Sequence, residues 1–249
     1  MNIAVCIKEV PDTESRPKIQ EDGKSIQKEN IKWIVNPYDE YAIELGLQLT
    51  EKHGGEVTVI SFGPKEIEPT IRSAVAMGAH KAIRIEGPKD MADPLVTTNA
   101  LATVLKDKEF DLILLGKQAI DDDNAQIPQM LSEALNIPGV SVIVKFELNS
   151  DSAVAEREIE GGKEKVAFKL PAVLSCQKGL NEPRYRSLKG IMMSKKVPIE
   201  EVSIDLTSEK FMIDELQMPP QKQPGRIVGE GTEAVQELVR LLKEEAKVI

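Results

Sequence analysis

Short apolar runs alternate with helical patterns through the first part of the chain. Residues 3–7, 57–62, 82–85, 111–115 and 140–146 are apolar stretches of strand length, and the fourth ends at Gly116. Between them lie helical patterns at 38–53, 66–77, 94–106 and 125–135. In the first, Ala42, Leu45 and Leu49 share a face, and Gly54 and Gly55 stop it. In the last, Ile127, Met130, Leu131, Ala134 and Leu135 recur at i, i+3, i+4, i+7 and i+8, so a helix is expected to start near Asp123. Pro128 falls in its first turns, where a missing N–H costs least. Strands alternating with helices predict an α/β fold, a parallel sheet covered on both faces. Ligands in such sheets sit beyond the carboxyl ends of the strands, and Lys8, Gly63 and Gly116 mark three of those ends.

After Asn149 the period changes to two. Residues 153–158 and 165–170, joined through Glu160, Gly161 and Gly162, predict a β-hairpin extension, and 172–176 a further buried strand. From Gly179 the chain turns polar, carries Pro183, Pro198, Pro219, Pro220 and Pro224, and shows no sustained periodicity until Thr232. So long an irregular stretch suits an arm laid on a partner. The final helix lines up Val235, Leu238, Val239 and Leu242, a face that needs covering. The expected division is therefore an α/β domain over 1–180 and a loop with a C-terminal arm over 181–249, which the family resemblance described below makes a nucleotide-binding domain and a partner-docking segment.

The 249 residues are 41% hydrophobic, ample for a core, and no run reaches the ~20 apolar residues that span a bilayer. The start runs straight into strand residues, so a cytoplasmic location is expected. A net charge of −9 opposes binding to nucleic acid or anionic membranes, and 4% aromatics leaves little to stack on bases or to sandwich a flavin. Cys6 and Cys176 both lie in apparent buried strands and support neither a disulfide framework nor a zinc site. His53 and His80 read as solvent-facing.

The candidate chemistry lies where the fourth strand runs into a polar loop and then a helix: Gly116, Lys117, Gln118, Ala119, Ile120, Asp121, Asp122, Asp123, Asn124, Ala125, Gln126 and Ile127. Glycine permits close backbone approach, and free amides at a helix start favour an anion, so the amides of Asp123, Asn124, Ala125 and Gln126 are expected to meet a phosphate. A capped strand-to-helix turn would look the same from pattern alone. Three aspartates suit a phosphate only if their carboxylates turn away or a cation is present. A divalent metal on Asp121, Asp122 and Asp123 is a competing reading, although consecutive residues converge on one ion only with unusual backbone.

GKQAIDDD, followed closely by Gln126, resembles the adenine-nucleotide loop of the electron transfer flavoprotein beta subunits. So, in order along the chain, do VCIKEVPDT at the start, NPYDEYAIE at 36–44, TIRSAVAMGAHKAI at 70–83, EREIEGG at 156–162 and LNEPRYRSLKGIM at 180–192. The resemblance implies an adenine nucleotide alpha hydrolase-like fold that binds AMP through the loop 116–127, with Cys6, Asn36, Pro37, Tyr38, Asp39 and Phe62 adding contacts. It implies that Thr13 and Glu158 lie near the FAD of a partner alpha subunit, and that Leu188, with Ile191 and Met192, docks dehydrogenases. The implied role is that of an electron carrier without catalytic residues of its own. It would pass electrons from acyl-CoA-type dehydrogenases toward a membrane quinone reductase, as in fatty acid oxidation. Asn124, Ala125, Ile127 and Pro128 depart from the mitochondrial members, so a hydroxyl contact at Ile127 is lost and only its backbone remains. Thr13 stands where those members have an aromatic residue. A second, bifurcating branch binds a second FAD in place of AMP, with a glycine inside the acidic triplet and a threonine before Ala-Gln. Asp122 and Asn124 occupy those positions here, which favours AMP, while Ala125 and Gln126 echo the other branch. A free-standing ATP-hydrolysing protein would need a catalytic cation, and the loop itself offers only Lys117.

Overall fold

The first strand, β1 (Asn2–Cys6), sets the frame: Ile3 and Val5 turn to one side, Ala4 and Cys6 to the other, and all four are buried. In the computed structural model, which describes residues 1–88, 93–149, 152–221 and 224–249, these sides become the two faces of a nine-stranded sheet. The elements that follow are β2 (Glu9–Pro11), β3 (Trp33–Val35), α1 (Pro37–His53), β4 (Glu56–Gly63), α2 (Glu68–Met77), β5 (Lys81–Glu86), α3 (Pro94–Leu105), β6 (Leu112–Gly116), α4 (Ile127–Leu135), β7 (Gly139–Asn149), β8 (Ser152–Ile159), β9 (Gly162–Lys169), β10 (Ala172–Cys176), α5 (Leu188–Ser194), β11 (Ile199–Val202) and α6 (Val235–Glu244). The sheet order is β11-β5-β4-β1-β6-β10-β7-β8-β9. Its first seven strands pair in parallel, and β8 and β9 continue antiparallel as the expected hairpin. From β1 the chain winds to one side and from β6 to the other, so the switch point lies between them, where open sheets of this kind hold ligands.

Each face has its own core. Ile3 and Val5 pack with Ile43, Leu47 and Ile71, while Ala4 and Cys6 pack with Leu101, Val104 and Leu131. The nine residues of α4 fall short of the ~12–15 that hold a helix in isolation, so burial of Leu131 and Pro128 against the sheet fixes it. Both cysteines are free and buried.

Several expectations are corrected. α4 starts at Ile127, after the 123–125 region from which the pattern began it, because Asp123 (φ 51°) and Ala125 (φ 52°) are left-handed and cannot open a right-handed helix. The strands β2 and β3 pair antiparallel in a separate small sheet that three-residue runs do not announce. The first compact unit runs on past residue 180 to 216, because β11 joins the sheet edge beside β5 and α5 packs on α2. Residues 1–216 form one body and 217–249 another. Within the second, α6 exposes Val235, Leu238 and Val239, and Arg240 is paired with Glu237 and Glu244. No helix among the described residues is long and apolar enough to cross a membrane.

Candidate functional site

The ends of β1 and β6 are joined through one carboxylate at the start of α1. Asp39, 5% exposed, accepts from the Lys8 amide through Oδ2 (2.8 Å) and from the Gly116 amide (2.9 Å) and Asn36 Nδ2 (2.9 Å) through Oδ1. Burial pushes its carboxyl up to about 7, against the pull of these three donors. Gly116 is required by space: a Cβ there would lie 2.4 Å from Asp39 Oδ1, 2.6 Å from Tyr38 Cβ and 2.7 Å from the Tyr38 carbonyl carbon. Asn36 precedes α1 without capping it. Its amide instead donates to the Gln118 carbonyl (2.9 Å) and accepts from the Ile120 amide (3.2 Å), which clamps the first half of the loop to the helix start.

The acidic half of the loop is neutralised in part by a residue of the β1 end. Lys8 Nζ lies 2.8 Å from Asp121 Oδ1 and 2.9 Å from Asp122 Oδ2. Asp122 Oδ1 also accepts from the Asn124 amide (3.2 Å), and Asp123 Oδ1 accepts from Gln118 Nε2 (2.5 Å), so Asp121 and Asp122 share Lys8 while Asp123 is held within the loop. Lys117 turns its ammonium over the Tyr38 ring, 4.9 Å from the centroid. Of the four amides expected to face a phosphate, that of Asp123 donates to the Ala119 carbonyl and that of Asn124 to Asp122. Among the described residues, the amides of Ala125, Gln126 and Ile127 donate to nothing else in the chain. The positive end of α4 therefore offers three amides in place of those expected, two of them shared with the expectation.

The fold brings Cys6, Asn36, Pro37, Tyr38, Asp39, Phe62 and the whole loop 116–127 to one edge, the carboxyl ends of β1, β4 and β6. Cys6 is buried, and burial pushes its thiol well above the usual range. Phe62 is half-buried with its ring against Gly87, where a Cβ would come within 2.4 Å. Thr13, in an exposed turn after β2, and Glu158, exposed on β8, lie off this loop. On α5, Leu188 is 84% exposed and Met192 71%, with Ile191 turned out less fully.

The floor under α5 was not legible. Gly190 lies so close to the Ala76 carbonyl that a Cβ would meet it at 2.3 Å, and Arg72 donates to the Ser194 and Val197 carbonyls (2.8 and 3.2 Å). Arg184 grips the buried Glu44 of α1 (Nε to Oε2, 2.8 Å) and also Glu51, which fixes the approach to α5. Lys8, Arg184 and Glu44 carry the geometry yet read locally as ordinary surface charges. The signals for them were their place inside the resembling blocks and, for Lys8, its position at the carboxyl end of the first strand.

Residues 24–207 match the family model described as electron transfer flavoprotein domain. The electron transfer flavoprotein subunit beta of Bacillus subtilis (strain 168) is 46% identical over 259 aligned residues, covering 100% of both chains. The proteins of that name from Dictyostelium discoideum and Homo sapiens are each 37% identical, covering 100% of this chain and 99% of theirs. With full-length similarity at this level and the family model spanning most of the chain, the protein belongs to the electron transfer flavoprotein family, as a beta subunit.

Proposed function

We propose that this chain pairs with an alpha subunit and holds AMP at the edge formed by β1, β4 and β6, as a fixed part of an electron-shuttling heterodimer. The observation that carries the reading is the clamped loop: Asn36 and Asp39 hold it at the switch point, and the amides of Ala125, Gln126 and Ile127 have no partner among the described residues. FAD, held mainly by the alpha subunit, supplies the redox chemistry. The residues of this chain bind, cover and dock: Thr13 and Glu158 cover one side of the flavin, and the arm beyond 216 embraces the partner. Electrons come from acyl-CoA-type dehydrogenases and leave toward a membrane quinone reductase, in the cytoplasm. Co-production with the alpha subunit and mass analysis of released nucleotides tests this. Equimolar AMP and FAD is the expected result. Two FAD and no AMP would assign the chain to the bifurcating branch, and ATP turnover by the chain alone would overturn the carrier reading.

Leu188 gives the docking proposal its own test. Its side chain projects from a short helix whose other side is fixed on α2, as an aliphatic anchor with a charged rim does. Leu188→Ala is expected to lower kcat/KM with a donor dehydrogenase about 30-fold, the size of a single hot-spot residue. AMP content and melting temperature should not change, because little of Leu188 is buried in this chain. Equal kinetics for the variant and the parent would remove the anchor.

A further inference from the structure

The acidic tip of the loop sets an electrostatic problem for the adenylate site proposed above. Asp121, Asp122 and Asp123 stand two to four residues before the first of the free amides, and a phosphate monoester adds about two further negative charges near neutral pH. Lys117 is turned onto Tyr38. Lys8 is the cation that meets the carboxylates, and it is held at both ends: its amide donates to Asp39 (2.8 Å), while its ammonium bridges Asp121 (2.8 Å) and Asp122 (2.9 Å). Burial of the side chain opposes its charge, yet the two carboxylates hold the ammonium above the ordinary lysine range. The tether starts at the end of β1, the strand next to β6, so it ties the loop that follows β6 to the neighbouring strand.

We propose that Lys8 is a positioning residue for nucleotide selectivity: by gathering Asp121 and Asp122 on one ammonium, it lowers the repulsion those two carboxylates would exert on a phosphate at the amides of Ala125, Gln126 and Ile127. The inference rests on the adenylate reading of this site and adds what makes an acidic loop accept an anion. Lys8 acts through the two aspartates, so the loss of its charge is compensated by loss of theirs. A direct ion pair between Lys8 and the phosphate would not be compensated in that way.

The test compares AMP and adenosine binding by equilibrium dialysis to the assembled heterodimer after nucleotide removal, with melting curves as a check on folding. Lys8→Met is expected to weaken AMP roughly 10- to 100-fold, as removal of one close charge from a partly desolvated site does, and to change adenosine less than about 3-fold. Adding D121N and D122N to that variant should bring AMP to within about 3-fold of the parent, since the repulsion from that pair is then gone. Unchanged AMP binding in Lys8→Met overturns the role of Lys8 alone and leaves the site intact. Failure of the triple variant to recover overturns it in favour of direct contact with the phosphate. A parent protein that binds no AMP overturns the site itself, and the role of Lys8 with it.

Discussion

Replacing Gly116 with alanine is expected to abolish AMP retention by the assembled protein and to lower its stability by about 2–4 kcal/mol, the upper range for overpacking a filled site. The added Cβ would meet Asp39 Oδ1 at 2.4 Å and, at 2.6 and 2.7 Å, Cβ and the backbone carbonyl carbon of Tyr38. A long flexible side chain could swing aside, but the first turn of α1 cannot, because Asn36 and Asp39 are both bonded into the loop. Either α1 moves off β6 or the β6 end moves off α1. Both changes part Asp39 from the Gly116 amide and release the clamp on Gln118 and Ile120. Nucleotide stoichiometry and thermal unfolding of the co-produced heterodimer measure the two effects together. A variant with full AMP and a melting temperature within about 2 °C of the parent would show that the helix start yields, and that Gly116 is not needed for space.

The parallel sheet was legible because its strands are buried on both faces and read as unbroken apolar runs, separated by helical repeats of the right length. The loop was legible for the same reason, since the apolar run ends sharply at Gly116. What stayed hidden is long-range or left-handed. Lys8 and Asp121 are 113 residues apart, and Arg184 and Glu44 are 140 apart, so no local period connects them. The strand β11 contains Glu200 and Glu201 between two aliphatic residues, and its place on the sheet edge allows those charges to face outward. Asn36 stands just before α1, yet its side chain makes no cap bond and reaches the loop 82 residues on. The start of α4 was misjudged because left-handed Asp123 and Ala125 carry no warning in their identity, as a glycine would. The residues thus marked the edge of the sheet where a ligand would sit, while the pairings that shape the edge came only with the fold.

Asp39→Ala should destabilise the chain by several kcal/mol. The cavity is small. The larger cost comes from the donors deprived of this acceptor: the Lys8 and Gly116 amides, each worth about 1–3 kcal/mol when buried and unpaired, and one N–H of the Asn36 side chain, whose Nδ2 keeps its bond to the Gln118 carbonyl. A domain with a typical margin of about 5–15 kcal/mol would be left close to its threshold. Asp39→Asn keeps the size and one acceptor oxygen, but it sets an N–H against one of the donors, so it should fall between the parent and the alanine variant. The asparagine variant also isolates the titration. Burial raises the folded-state carboxyl to about 7 from an ordinary 3.8, so between those values the folded chain holds a proton that the unfolded chain releases. The contribution of this group to stability is therefore complete below about pH 4 and is lost as the pH rises toward 7, about 4 kcal/mol at most at 1.36 kcal/mol per unit. Chemical denaturation of the parent and of Asp39→Asn across pH 4 to 8 should show the advantage of the parent shrinking up to pH 7 and level beyond it. An advantage that grows over that range would mean that the three N–H donors outweigh burial, and that the switch point is built around a permanent anion.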